Sequence, residues 1–107
     1  MSTRLPGVRY KRIFDRGRSV KGRLLVGWHL QTPGADRMAG VVVSKKSFHD
    51  AVDRNRAKRL LREAFILRVT DGFMPAETEW LFIARAAIAS VKVDAVMREM
   101  RWMCGRL

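Results

Sequence analysis

The sequence predicts a single domain, residues 1–107, that runs helix, strand, strand, helix, strand, helix. Three observations lead there. A chain of 107 residues is long enough for one hydrophobic core and too short for two. Apolar residues make up 48% of it, which favours a globular fold over a disordered chain. Segments with apolar residues three and four apart alternate with short unbroken apolar runs, the patterns of amphipathic helix and buried strand.

The first helix is predicted in "GVRYKRIFDR". Pro6 and Gly17 bracket it, proline near the first turn and glycine just past the last. Tyr10, Ile13 and Phe14 fall at i, i+3 and i+4 and make one apolar stripe, while Arg9, Lys11, Arg12 and Arg16 cover the rest. Residues 23–31, "RLLVGWHLQ", form an apolar run without proline, and "TPGADR" after it supplies turn chemistry. With the extended run "MAGVVVS" that follows, it predicts an antiparallel strand pair.

"SKKSFHD" then leads into "AVDRNRAKRLLREAF", a helix for which Asp50 or Asp53 can serve as N-cap. At 100° per residue, Ala57, Leu60, Leu61, Ala64 and Phe65 cluster in one arc, and Arg54, Lys58, Arg59 and Arg62 occupy much of the other. "TDGFMPAET" breaks the chain at Gly72 and Pro75, and "EWLFIAR" reads as a buried strand. From about Val91 to Cys104, Val93, Val96, Met97, Met100 and Met103 recur at helical spacing.

Charge narrows the function. The chain carries 22 Lys+Arg against 10 Asp+Glu, a net of +12. Residues 1–68 hold 17 cations and 5 acids, whereas residues 69–107 hold 5 of each. So lopsided a distribution points to a polyanionic partner, nucleic acid above all. The single cysteine, Cys104, permits no intrachain disulfide and no CxxC metal pair, and it reads as a small core residue of the last helix. "MSTRLPGVRY" lacks the apolar core of a signal peptide, and no run approaches the ~20 apolar residues of a membrane span, so a cytoplasmic protein that does not engage a membrane is expected.

Catalytic chemistry is hard to assemble from these residues. His29 and His49 are the only histidines, and no paired-carboxylate, H-x-x-x-H or nucleophile-elbow spacing occurs. The basic helix is more informative. Five cations from Arg54 to Arg62 share their polar face with one acid, Glu63, so little i,i+4 pairing relieves their repulsion. Arginine in a first helical turn also costs about 0.3–1 kcal/mol against the macrodipole. Bidentate contact with phosphates would offset that cost, whereas a plain solvated face would not. Lys45 and Lys46 stand just before the helix and can join the same patch or simply end a strand. Tyr10, Phe14 and Trp28 can be core, or a platform for unpaired bases worth roughly 1–3 kcal/mol each.

Taken together, "GVVVSKK", "AVDRNRAKRLLREAF" and "FIAR" resemble the protein subunit of bacterial ribonuclease P. The resemblance covers nearly the whole chain, and its most specific part is Arg54-Asn55-Arg56 continued by "AKRLLREAF" and preceded by Ser44-Lys45-Lys46. It implies an α/β (α+β) two-layer sandwich whose mixed sheet contains a left-handed βαβ crossover, against the ~98% right-handed rule. It implies no catalytic residue in this chain. The cleaving site would belong to an RNA subunit, bound one to one, that holds Mg2+, and the protein would bind no cofactor alone. The second RNA would be precursor tRNA, whose 5′ leader is removed. Carried over residue by residue, Arg54, Asn55, Arg56, Lys58, Arg59 and Arg62, with Lys45 and Lys46, would face the RNA subunit. Tyr10, Phe14 and Trp28, with Arg12, would line the cleft for the leader. A stand-alone ribosomal-type RNA-binding protein is the alternative. "SFHD" departs from the shorter, glycine-containing linker frequent in the family. If the helix neutralises about five phosphates, log K for RNA falls against log salt with a slope near −3.5 to −4.5, measured by a filter-binding salt series.

Overall fold

The computed structural model describes residues 4–107. A 3₁₀ turn at Gly7–Arg9 leads into α1 (Tyr10–Arg16). Strands β1 (Arg18–Lys21), β2 (Leu25–Gln31) and β3 (Met38–Val42) follow, then the long helix α2 (Ala51–Thr70). Strand β4 (Thr78–Ala84), a 3₁₀ turn at Ala86–Ser90 and α3 (Val93–Cys104) complete the chain. The predicted helices and strands are all present. The short β1 is additional, because "RSVK" is too polar to stand out as a strand.

Strand pairing differs from the sequence expectation. β2 and β3 do not pair with each other. The sheet order is β1-β2-β4-β3, with β4 antiparallel to β2 and parallel to β3. The physical reason is burial: every residue of "TEWLFIA" except the half-buried Ile83 is buried, which marks a strand covered on both faces that belongs at the centre of a sheet. β3, α2 and β4 thereby form a parallel βαβ unit.

Alternation of side chains divides the core in two. On one face Leu25, Ala39, Val41, Trp80 and Phe82 meet Ala57, Leu61, Ala64 and Phe65 of α2 and Val96, Met100 and Met103 of α3. Each fully buried large side chain of this set stabilises by about 1.5–3 kcal/mol. Gly27 lets Met103 approach, since a Cβ there would sit 2.9 Å from its sulfur. On the other face a smaller cluster of Leu5, Ile13 and Leu81 holds α1. Cys104, half-buried, lies 3.8 Å from the Met74 sulfur, and burial pushes its thiol pKa up.

One carboxylate joins α3 to the sheet. Glu99 accepts the N–H groups of Arg23, Leu24 and Leu25, each at 2.9 Å. A Cβ at Gly22 would fall 2.5 Å from its carboxyl carbon, so the β1–β2 turn needs glycine there. Replacing Glu99→Ala strands two partly buried donors, of Leu24 and Leu25, and frees the exposed one of Arg23, and we expect a loss of about 1–3 kcal/mol, read as a fall in Tm of roughly 4–8 °C per kcal/mol.

Candidate nucleic-acid interface

The start of α2 explains its arginines only in part through RNA. Asp50 occupies the N-cap position in extended conformation, yet its side chain makes no capping hydrogen bond, and Asp53 sits in the first turn. Arg54 Nη1 donates to the carbonyls of Phe48 and His49, both at 2.8 Å. Arg56 donates from Nη1 to Ala89 O at 3.0 Å and from Nη2 to Val91 O at 2.7 Å. These two guanidiniums clamp the helix to its own linker and to the segment before α3. The unusual "SFHD" has a packing role as well: Phe48 is buried in the main core, and the turn is closed by Phe48 N–H on Ser44 O and Ser47 N–H on Ser44 Oγ.

The cations beyond the first turn face outward. Asn55, Lys58 and Arg59 are exposed and Arg62 is half-buried. They border a groove of about 580 Å³ that Glu63, Ile66, Leu67 and Arg4 complete. The last four are missed by the sequence reading. Ile66 lies four residues beyond Arg62 and Leu67 four beyond Glu63, and that spacing was the available signal; Arg4 reaches the groove through the β-bridge of its residue to Ala39. Lys45 and Lys46 are exposed in the turn that precedes the helix.

Arg62 links this groove to the aromatic residues. Burial, then the charge of Arg4, lowers its pKa, while the Tyr10 hydroxyl acts in the opposite sense. A guanidinium so placed is always charged and short of counter-charge, which favours an incoming phosphate. Tyr10 packs closely on Gly40: a Cβ there would be 2.5 Å from its ring and hydroxyl. Phe14 and Trp28 meet edge to face, centroids 5.2 Å apart, and Phe14 remains 40% exposed. Beside them Val26, Ile83 and Val42 stand in register across β2, β4 and β3, each half-buried, on the face of the sheet that carries α1. The result is a shallow apolar cleft with aromatic walls and a cationic end. Arg12 is exposed on α1, and its charge reaches Glu79. It borders an outer groove of α1, about 410 Å³, with Lys11 and Arg16.

The seat of α1 is ionic. Glu79 of β4 is 1% exposed and accepts hydrogen bonds from Arg9 Nε, from Arg9 Nη2 at 2.8 Å and from Thr32 Oγ1 at 2.8 Å. Burial alone would raise its pKa. The hydrogen bonds from Arg9 and Thr32, with the charges of Arg9 and Arg12, outweigh burial and hold the carboxyl below its ordinary value. Among the described residues no three His, Cys, Asp or Glu side chains gather as a metal cage. His29 sits in β2 against Trp80, its pKa lowered by burial and by Arg18, and His49 is exposed in the linker.

Residues 7–107 match the family model for Ribonuclease P. The chain belongs to the ribonuclease P protein family. It is 33% identical over 92 residues to the ribonuclease P protein component of Brevibacillus brevis, covering 85% of this chain and 71% of that one. The same component of Pelotomaculum thermopropionicum is 37% identical over 87 residues, 81% of this chain and 75% of the relative. Among solved structures, the RNase P protein of Thermotoga maritima superposes with a TM-score of 0.82 at 25% identity, over 99% of this chain and 98% of that one. The Staphylococcus aureus protein gives 0.76 at 26%, over 95% and 92%. As a ribonuclease P protein component, the chain is the accessory subunit of a ribonucleoprotein endoribonuclease of tRNA 5′ processing, and ribonuclease P RNA is its partner.

The Glu79 ion pair generates a pH prediction. Because the folded carboxyl is depressed, its stabilisation is complete above the ordinary carboxylate range and is lost as pH falls through the lower folded value. The urea midpoint of the native protein therefore drops on acidification. In Glu79→Gln protein, less stable at neutral pH, the drop over the same range is smaller.

Proposed function

We propose that the α2 groove holds the RNA subunit and that the cleft of Tyr10, Phe14 and Trp28 receives the 5′ leader of precursor tRNA. The observation that carries this reading is the position of Arg62, which borders the cationic groove and interacts with Tyr10 at the cleft. The backbone of the RNA subunit can follow the groove while unpaired leader nucleotides lie over the rings and the half-buried row Val26–Ile83–Val42. An unpaired strand suits these rings, since stacking on the exposed Phe14 requires base faces that a duplex hides.

The division of labour among the arginines follows from their partners. Arg54 and Arg56 organise the start of α2 through backbone carbonyls and act on RNA with whatever donors remain. Lys58, Arg59 and Arg62 carry the direct phosphate contacts, with Lys45 and Lys46 extending the patch. Three helix cations instead of five reduce the helix contribution to the salt slope to roughly −2 to −3. The protein engages one RNA subunit per chain, Mg2+ is held by RNA phosphates, and the protein screens their repulsion where leader and catalytic RNA converge.

The deciding experiment is precursor-tRNA cleavage at low magnesium by ribonuclease P RNA, with and without this protein. Restored 5′ maturation that the protein alone does not perform supports the reading, and RNA binding without restored cleavage leaves only a basic RNA-binding domain. Phe14→Ala weakens holoenzyme binding of precursor about tenfold, within the roughly 1–3 kcal/mol of one stacked base, and leaves mature tRNA binding unchanged. Equal losses for both RNAs return Phe14 to a packing role.

A further inference from the structure

Residues 69–107 are neutral by composition, with five cations and five acids. The fold engages three of these acids and leaves Glu77 and Asp94 exposed, Asp94 in the first turn of α3. Asp71 is held by Arg68 Nη1 at 2.7 Å, Glu79 is buried against Arg9, and the Glu99 carboxylate is occupied by the three amides of the β1–β2 turn. Arg98, Arg101 and Arg106 point outward around a concavity of about 510 Å³, and among the described residues none of them forms an ion pair.

Two exposed rings stand among these arginines. Trp102 is 45% and Phe73 41% exposed. The Arg106 guanidinium lies 4.9 Å from the Trp102 ring centre, and those of Arg101 and Arg68 lie 4.3 and 5.1 Å from the centre of Phe73. Positions 98, 101, 102 and 105 share one side of α3, opposite the buried Val96, Met100 and Met103. Planar cations over rings make flat, positively charged surfaces on which a base can stack.

We propose that this side of α3, with Phe73, is a second RNA-binding surface that takes an unpaired segment of the RNA subunit. The proposal rests on the α2 reading above. Unpaired nucleotides fit because stacking requires exposed base faces, which a duplex hides. The RNA subunit fits because α3 packs beside α2 in the same layer, so an RNA held along α2 has the α3 patch within reach. The leader cleft opens on the opposite face of the sheet.

The test uses Trp28→Phe protein, in which Trp102 and the buried Trp80 are the remaining indoles. On titration with ribonuclease P RNA alone, Trp102 emission is quenched saturably, and a further Trp102→Phe change abolishes the quench. Trp102→Ala weakens assembly about fivefold or more, as expected for one lost stacked base. Combined Arg98→Ala, Arg101→Ala and Arg106→Ala flattens the salt slope of assembly by about 2, three phosphates at ~0.7 each. Melting temperatures near that of the parent show that these exposed substitutions leave the fold intact. An unquenched Trp102 and an unchanged slope, while Arg62→Ala still weakens assembly, overturn the proposal and leave the α2 reading standing. Intact assembly in Arg62→Ala overturns the α2 reading itself, independently of the Trp102 signal. Quenching that arises only when precursor tRNA is added, or equally with polyglutamate, overturns the assignment to the RNA subunit.

Discussion

The backbone hydrogen bonds that β4 makes to β2 along one edge and to β3 along the other hold the two parts of the functional surface in one frame. With β4 central, α2 must leave β3, cross the sheet and return, which lays its inner stripe on Trp80 and Phe82 and turns its cations outward. The opposite side of the same strand presents Glu79, Leu81 and Ile83. Glu79 seats α1 through Arg9, Leu81 packs with Ile13, and Ile83 is left half-buried. Both the groove and the cleft are consequences of one strand being inserted between two others.

Charge in this molecule acts in two ways that the composition does not distinguish. Arg54 and Arg56 terminate on main-chain carbonyls, and Arg68 is buried, with Nε on Met97 O and Nη1 on Asp71. These guanidiniums replace caps and loop contacts, a use suited to a planar group with five donors. Among the described residues Lys58, Arg59 and Arg62 have no such carbonyl partners, and they border the outer groove of α2 instead. The acids show the converse. Glu79 and Glu99 are consumed internally, which leaves the exterior more positive than a count of residues indicates.

Local pattern carried much of this in advance. The arc of Ala57, Leu61, Ala64 and Phe65 was legible because helical periodicity is a property of neighbours in sequence, and the same holds for Tyr10, Ile13 and Phe14. The proposed strand pair of residues 23–31 with "MAGVVVS" failed for the corresponding reason. Adjacent extended runs do usually pair, but here the fully buried "TEWLFIA" competes for both edges and prevails through the apolar area it removes from water. The groove residue Arg4 was illegible because its place is set by its bridge to Ala39, whereas Ile66 and Leu67 lay within reach of helical spacing.

The sequence by itself determined that this is an α/β domain with one cationic helix and an aromatic stripe, directed at RNA, since composition and periodicity survive in any arrangement of the chain. Only the tertiary structure decided which arginines face outward and which are spent on carbonyls, and which acids are withdrawn from the surface. Those choices are made between residues 33 apart, as for Arg56 and Ala89, or 70 apart, as for Arg9 and Glu79. Partners so distant leave no periodic trace along the chain, and burial and hydrogen bonding select them only once the sheet has formed.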